Sequence, residues 1–218
     1  MTTVVSVWVH GHVPFTSDYV TRLASMVSRH MDRPYRFVCL CDKPYQLGRS
    51  QGIEKILIPK PDKGIFGWWS KMQLFNREHG LQGRILYLDL DTLVMQSLAP
   101  ILDYPSKFAL IPHGGTFRAR GGLKVLDRFN SSVMVWDSGV NYQLWDEWTP
   151  AITKLLWGDQ DAISEQMPEA DTMPLPWFPR ISELRENRPG PEAKVVLMKK
   201  PKTAEAIKLY PWVAEAWR

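Results

Sequence analysis

The apolar positions of this chain fall into short blocks of two kinds. Val4-Val5-Ser6-Val7-Trp8-Val9 is β-branched and almost continuously apolar, the pattern of a strand buried on both faces. Phe37 to Cys41, Ile56 to Ile58, Ile85 to Leu88, Phe108 to Ile111, Val133 to Trp136 and Val195 to Met198 repeat it. After the first block the spacing becomes helical. Val20, Leu23, Ala24 and Val27 recur on one face, Thr16-Ser17-Asp18 offers an N-cap, and the run ends near His30, ahead of Pro34. Further helices are predicted over Trp69 to Phe75, from about Val140 with a break at Pro150, and from Ala162 to about Gln166. The order β-α-β-β-α-β predicts an α/β layered fold with a largely parallel sheet. Such sheets bind ligands at the carboxyl ends of their strands, where Asp42, Asp89 and Asp91 all fall.

The later part of the chain is less regular. Pro168 to Pro191 holds six prolines, which excludes regular helix or central strand and predicts an ordered meander that packs Trp177 and Phe178. Trp212 to Trp217 reads as a short docking helix. No repeat, low-complexity tract or linker interrupts the pattern, so residues 1–218 are expected to form one domain, with 168–218 as meander, last strand and docking segment.

Composition narrows the function. The net charge of +4 suits an anionic ligand such as a nucleotide, or loose attraction to an acidic membrane face. It is too weak to argue for nucleic acid, and no basic binding motif is present. No apolar run is long enough to span a membrane and no signal segment opens the chain, which gives the expectation of a cytoplasmic protein. Cys39 and Cys41, the only cysteines, would share one face of a strand as buried free thiols. Ten Trp residues could stack on sugars or fill a core, and composition does not choose.

The stretch with chemistry in it is Arg84-Ile85-Leu86-Tyr87-Leu88-Asp89-Leu90-Asp91-Thr92-Leu93-Val94. Alternation along a strand would point Asp89 and Asp91 to one side. Two carboxylates in apolar surroundings need a cation between them, and a hard divalent ion with a phosphate-bearing substrate would supply one. The plainer alternative has one acid capping a turn and the other facing solvent.

Leu86-Tyr87-Leu88-Asp89-Leu90-Asp91-Thr92 resembles the D-x-D strand of GT-A glycosyltransferases of the glycogenin and bacterial galactosyltransferase type. Asn130-Ser131-Ser132-Val133-Met134-Val135 resembles that group's N-(S/A)-G strand, and Asp159-Gln160-Asp161 its D-Q-D motif. Phe66 to Lys71 sits where the group has a helix with a basic residue near the donor. The motifs follow the group's order across roughly Val4 to Met198. The resemblance implies a single-domain, Rossmann-like GT-A fold and a hexosyltransferase-like enzyme. It implies a nucleotide-sugar donor, UDP-linked, and an acceptor that is a glycan, lipid or protein. It also implies Mn²⁺ or Mg²⁺ as cofactor and retention of anomeric configuration.

On that resemblance Asp91 would ligate the metal, and Asp89 the metal or the donor ribose. Lys71 and Lys200 would add positive charge against the developing phosphate. Asn130, Ser131, Asp159 and Gln160 would hold the donor sugar, and Asp161 would orient the site or activate the acceptor. One position departs from the pattern: Met198 stands where related enzymes place a metal-binding His, although Lys200-Pro201 is retained. Methionine is a poor ligand for a hard cation. The site could then hold its metal through two protein ligands and water, let a lysine take part of the cation's role, or serve only to bind a nucleotide or sugar.

Plainer roles exist for most of these residues. Lys71 could be solvated on an amphipathic helix, Trp68-Trp69 could pack that helix on the sheet, Asp159 could be an N-cap, and Asn130 could close a turn. His10, His12 and His113 lack metal-ligand spacing and are taken as structural or solvent-facing. A Gly-rich, basic loop is expected after Ile111, with Gly114, Gly115, Gly121 and Gly122 around Arg118, Arg120 and Lys124, where Arg118 and Arg120 would bind an anionic acceptor or keep the loop soluble. Asp89-Leu90-Asp91-Thr92 also matches the first motif of haloacid-dehalogenase-type phosphatases. That motif normally opens its domain, whereas here β-α-β-β-α precedes it, and Ile163 stands where a later acid is required.

Overall fold

The computed structural model describes residues 1–10, 15–47, 52–58, 67–120, 123–184, 186–199 and 202–218, with the backbone alone for 118–120 and 123. Strand β1 (Thr2–Trp8) leads through helix α1 (Ser17–His30) to strands β2 (Arg36–Cys41) and β3 (Ile53–Leu57). A 3₁₀ segment (Gly67–Phe75) precedes strands β4 (Arg84–Leu88) and β5 (Leu93–Val94), helix α2 (Ala99–Leu102) and the long strands β6 (Phe108–Arg120) and β7 (Leu123–Asp137). Helices α3 (Gln143–Asp146), α4 (Ile152–Leu155) and α5 (Asp159–Gln166) follow, then strand β8 (Asp171–Thr172) and helix α6 (Ile181–Leu184). Strand β9 (Val195–Val196) and helices α7 (Thr203–Leu209) and α8 (Pro211–Ala216) complete the order.

The main sheet has seven strands in the order β3-β2-β1-β4-β7-β6-β8. β3, β2, β1 and β4 are mutually parallel, β7 runs antiparallel to both β4 and β6, and β8 is parallel to β6. This is the α/β, mostly parallel sheet that the alternating blocks predict. Alternate residues of its central strands feed two cores, as the pleat requires. Val4, Leu86 and Leu88 pack with Val20, Leu23 and Val27 of α1. Val5, Ile85 and Tyr87 pack with Trp69, Met72 and Ala162 on the other side. Cys39 and Cys41 are free, buried and in the same core, as their spacing predicts.

Several elements differ from the pattern. The Gly-rich stretch after Ile111 does not loop out. β6 continues through it to pair with β7, with register shifts at Leu110/Ile111 and Pro112/Thr116. Gly115 adopts φ +62° there, a left-handed conformation that glycine takes without a Cβ penalty. Gly121 and Gly122 lie outside the described residues. The segment Gly67–Phe75 winds as 3₁₀ rather than α, and every residue from Trp69 to Phe75 is buried, so that stretch has no solvent face. Helix α5 begins at Asp159, earlier than the apolar pattern alone places it.

β5 pairs antiparallel with β9 in a separate two-stranded ribbon, Leu93 opposite Val196. Extended by two residues, that register sets Met198 across from Asp91. The meander buries Phe178 and packs Trp177 edge-on to Tyr104. α8 docks on α1: Arg22 Nη1 donates to the Trp217 carbonyl at 2.7 Å, and Trp212 and Val213 are buried. Among the described residues no helix is long and apolar enough to cross a membrane.

Candidate active site

β4 stops at Leu88, and the two acids lie in the turn beyond it, not in the strand. Asp89 N–H donates to the Ser132 carbonyl of β7 at 2.9 Å, which anchors the turn to the sheet. The Asp89 carbonyl then accepts from Thr92 N–H at 3.2 Å and from Thr92 Oγ1 at 2.7 Å. The turn achieves what strand alternation was expected to achieve. Both carboxylates line one cleft of about 200 Å³ at the carboxyl ends of β1 and β4, together with Val7, Trp68, Lys71, Tyr87 and Lys202.

Lys71 is the hub of this cleft. The 3₁₀ segment carries it inward until only 8% of it is exposed, which overturns the solvated reading. Its Nζ lies 3.1 Å from Asp159 Oδ2 and 3.2 Å from Asp89 Oδ1, and it donates to Ser131 Oγ at 3.0 Å. Ser131 Oγ donates onward to Asp159 Oδ2 at 2.5 Å, and Tyr87 OH donates to Asp89 Oδ1 at 2.5 Å. Burial works against the Lys71 charge, but the carboxylates of Asp159 and Asp89 outweigh it and hold its pKa above the usual lysine value. Burial, then the Asp89 charge, pushes the Tyr87 hydroxyl well up, so it remains a donor.

Asp91 is in a different condition. Burial first, and the neighbouring Asp89 charge second, push its carboxyl up to about 6, while Lys202 pulls it partly back. Lys202 Nζ donates to Asp91 Oδ2 at 3.3 Å from a largely exposed side chain. Among the described residues three carboxylates (Asp89, Asp91, Asp159) thus meet two ammonium groups (Lys71, Lys202), a net negative set unsuited to a diphosphate by itself. A divalent ion at the Asp89–Asp91 turn would reverse that sign and relieve the Asp91 carboxylate, so the donor chemistry fits a hard cation. Its protein ligands among the described residues would be two, Asp89 and Asp91. Among the described residues no three His, Cys, Asp or Glu side chains form a metal-holding group, and Met198 is buried in the apolar core.

The remaining predicted residues are placed as follows. Asp159 opens α5, but Gly158 is the N-cap residue and the Asp159 carboxylate makes no capping bond, being turned to Lys71 and Ser131. Asp161 is buried and its Oδ2 accepts from Trp157 N–H at 2.8 Å, fixing the chain's entry into the helix. Gln160 Nε2 donates to Asp127 Oδ1 of β7 at 3.1 Å. Asn130 Oδ1 accepts from Ser132 N–H at 2.9 Å, so its oxygen closes its own turn. The structure therefore joins Lys71, Asp89, Ser131 and Asp159 in one network, sets Asp91 beside it, and ties Asn130, Gln160 and Asp161 to local partners. Lys200 lies outside the described residues, as do His12 and the side chains of Arg118 and Arg120.

Three cleft residues, Tyr87, Lys202 and Trp68, and the buried β7 residue Asp127 were not assigned to the site from sequence. Tyr87 was one of an apolar run, and Lys202 was hidden in a basic run. Asp127 carried no motif. Trp68 was expected to pack with Trp69. Trp69 does so, 4.9 Å from Trp148, but Trp68 is about half exposed over the cleft, its indole 3.8 Å from where a Cβ on Gly158 would sit. His113, expected to be structural or solvent-facing, places Nδ1 3.1 Å from Asp127 Oδ2.

A mixed seven-stranded sheet with an acidic turn after its fourth strand and a helix-borne acid opposite defines an α/β protein with a ligand cleft at the sheet's carboxyl edge. No protein-family model matches the sequence, and no curated protein matches it. Solved structures do. The LgtC galactosyltransferase in complex with donor and acceptor sugar analogues matches 99% of this chain over 96% of its own, at 16% identity and TM-score 0.62. The glycosyltransferase GlyE of Streptococcus pneumoniae TIGR4 matches 92% of this chain over 55% of its own, at 13% identity and TM-score 0.62. Mouse xyloside xylosyltransferase 1 matches 93% over 99%, at 13% identity and TM-score 0.56. The fold is the GT-A fold of glycosyltransferases. The phosphatase alternative falls with that assignment.

Proposed function

We propose that this protein is a glycosyltransferase that takes a sugar from a UDP-linked donor, with Mn²⁺ or Mg²⁺ held by Asp89 and Asp91. The observation that carries the reading is the buried Lys71 network, which links the D-x-D turn, the Asn130-Ser131 strand and the D-Q-D helix at the edge where a GT-A fold binds its donor. Burying Lys71, Ser131 and Asp159 together costs desolvation that core packing alone does not require. The bound cation would act as a Lewis acid on the leaving diphosphate.

Every other contribution comes from the chain. Lys71 keeps the Asp89 and Asp159 carboxylates ionised and aimed, so Asp159 can accept from a donor-sugar hydroxyl. Lys202, held at the rim by Asp91, is placed to meet a phosphate oxygen once that carboxylate has another partner. Retention of configuration follows the resemblance of the three motifs, and the acceptor stays open among glycan, lipid and protein. The mild positive charge suits loose contact with an acidic membrane face, and the buried thiols suit the cytoplasm.

UDP with Mn²⁺ is expected to raise the melting temperature by several degrees, as a ligand at about 100 times its Kd contributes roughly 2.7 kcal/mol. Asp91→Ala is expected to remove most of that gain. An unchanged response in the variant would rule out the metal bridge at Asp91. Stabilisation without turnover of any donor would favour the nucleotide-binding domain instead, the reading that Met198 supports.

A further inference from the structure

The ladder between β6 and β7 does not stop where the sheet does. Among the described residues β4 pairs with β7 as far as Leu88↔Val133 and β8 pairs with β6 at Ala109 and Leu110, whereas β6 and β7 run on together to Arg120↔Leu123. Beyond the sheet they form a two-stranded arm at the carboxyl edge, the edge where Asp89 and Asp91 line the cleft. Its two faces differ, as the pleat requires. The inner face holds Val125, Asp127 and Phe129, all buried, and Val125 and Phe129 share a core with Ala162 and Ile163 of α5. The outer face holds Lys124 and Arg128, both exposed, and half-buried Leu126, with Phe117 opposite Leu126 in the register.

Phe117 is 62% exposed, and Lys124 Nζ sits 4.4 Å from the centroid of its ring. Asp127 is the one acid between Phe108 and Trp136, and it lies on the inner face, so the outer face carries its cations without a carboxylate of the arm's own. The same edge of the sheet bears further exposed apolar side chains: Tyr45 just after β2, Leu57 at the end of β3, and Trp68 over the cleft. We propose that this arm docks the protein on a bilayer of acidic phospholipid, with Phe117 entering the headgroup layer and Lys124 and Arg128 meeting the lipid phosphates. The chemistry favours a membrane over a soluble acidic partner. Aromatic rings settle at headgroup level while basic side chains reach the phosphates around them, and this attraction asks for no shaped pocket. The proposal adds a surface to the glycosyltransferase reading and does not rest on it. Docking through the arm brings the cleft's edge of the sheet to the membrane.

The test is sedimentation of the whole chain with vesicles of phosphatidylcholine alone and of phosphatidylcholine mixed with phosphatidylglycerol. Binding is expected to the mixed vesicles only, and to weaken as salt is raised. A basic residue near such a surface is worth about fivefold in partitioning, so K124Q/R128Q should bind about tenfold or more weakly. Phe117→Ala should lose about threefold or more through lost apolar burial, with its melting temperature unchanged because the side chain is exposed. Orientation is read separately. Cys39 and Cys41 are buried, so a polarity-sensitive dye can be attached at Phe117→Cys or at Gln82→Cys, an exposed position at the amino edge of the sheet. On mixed vesicles the emission should shift to the blue at position 117 and stay unchanged at position 82.

No binding to the mixed vesicles overturns the proposal, as does binding that K124Q/R128Q and Phe117→Ala both retain in full. A blue shift at both dye positions, or at 82 alone, overturns it too, because the docking face would then lie elsewhere. Heparin bound in solution as tightly as vesicles, with no shift at 117 on vesicles, would overturn the membrane in favour of a soluble acidic partner. A wild type that docks through position 117 yet releases UDP from no donor would count against the glycosyltransferase reading and leave the docking face standing.

Discussion

At the scale of residues, the site is a set of charges that balance one another only in part. Lys71 serves two carboxylates, while Asp91 is left with an exposed lysine and its carboxyl is pushed up to about 6. The sign of the consequence is definite. A carboxyl with a folded pKa above its unfolded value costs stability when ionised, so the penalty is full above about 6 and disappears toward the ordinary value near 3.8. Asp91→Asn should therefore raise the melting temperature at pH 7.5, by roughly 2 to 5 °C for a chain this size, and the gain should vanish by pH 4. Thermal unfolding of both proteins across that range checks it. A variant that gains stability while losing its nucleotide response would mark Asp91 as kept for function.

The sequence named Asp89, Asp91, Lys71, Ser131 and Asp159, and the structure gathers those five. It did not disclose why Lys71 is buried. That depends on a segment without a polar face, and the period of an amphipathic helix was the wrong template for it. Asp127 was silent because its carboxylate pairs with Gln160, from a distant part of the chain, and no local pattern encodes such a partner.

At the scale of elements, the apolar blocks located β1, β2 and β4, since both-face burial writes itself as a continuous run, but caught only the end of the edge strand β3, which runs Ile53–Leu57 with no fully buried residue. They failed at the β6–β7 hairpin. Gly114 and Gly115 read as the start of a loop, yet a ladder with register shifts absorbs them, and the bulged strand bends instead of ending. Gly115 gives this a test. No atom lies near enough to obstruct a Cβ there, so Gly115→Ala meets only the left-handed φ. It should cost about 1 kcal/mol in urea unfolding, with no change in the slope of the transition. A neutral or stabilising result would mean that the hairpin does not hold that conformation. The turn after β4 teaches the complementary point: alternation predicted two acids on one face, and a Thr92-closed turn put them there by another route.

At the scale of the molecule, function is set by where the sheet ends. Parallel strands β1 and β4 deliver the D-x-D turn, the antiparallel β7 delivers Ser131, and α5 answers from the opposite wall. The β5–β9 register, extended by two residues, sets Met198 across from Asp91, so the position where the sequence departs from the resembling motif lies beside the acidic turn. A cation bound at that turn would have two protein ligands among the described residues, Asp89 and Asp91. The measurement that bears most directly on the account is release of UDP from a panel of UDP-sugars, with Mn²⁺ and with chelator. Release from at least one donor, dependent on Mn²⁺ and lost in Asp159→Asn, is the predicted result. Folded protein that releases UDP from none of them, or that does so equally well without Asp159, would contradict it.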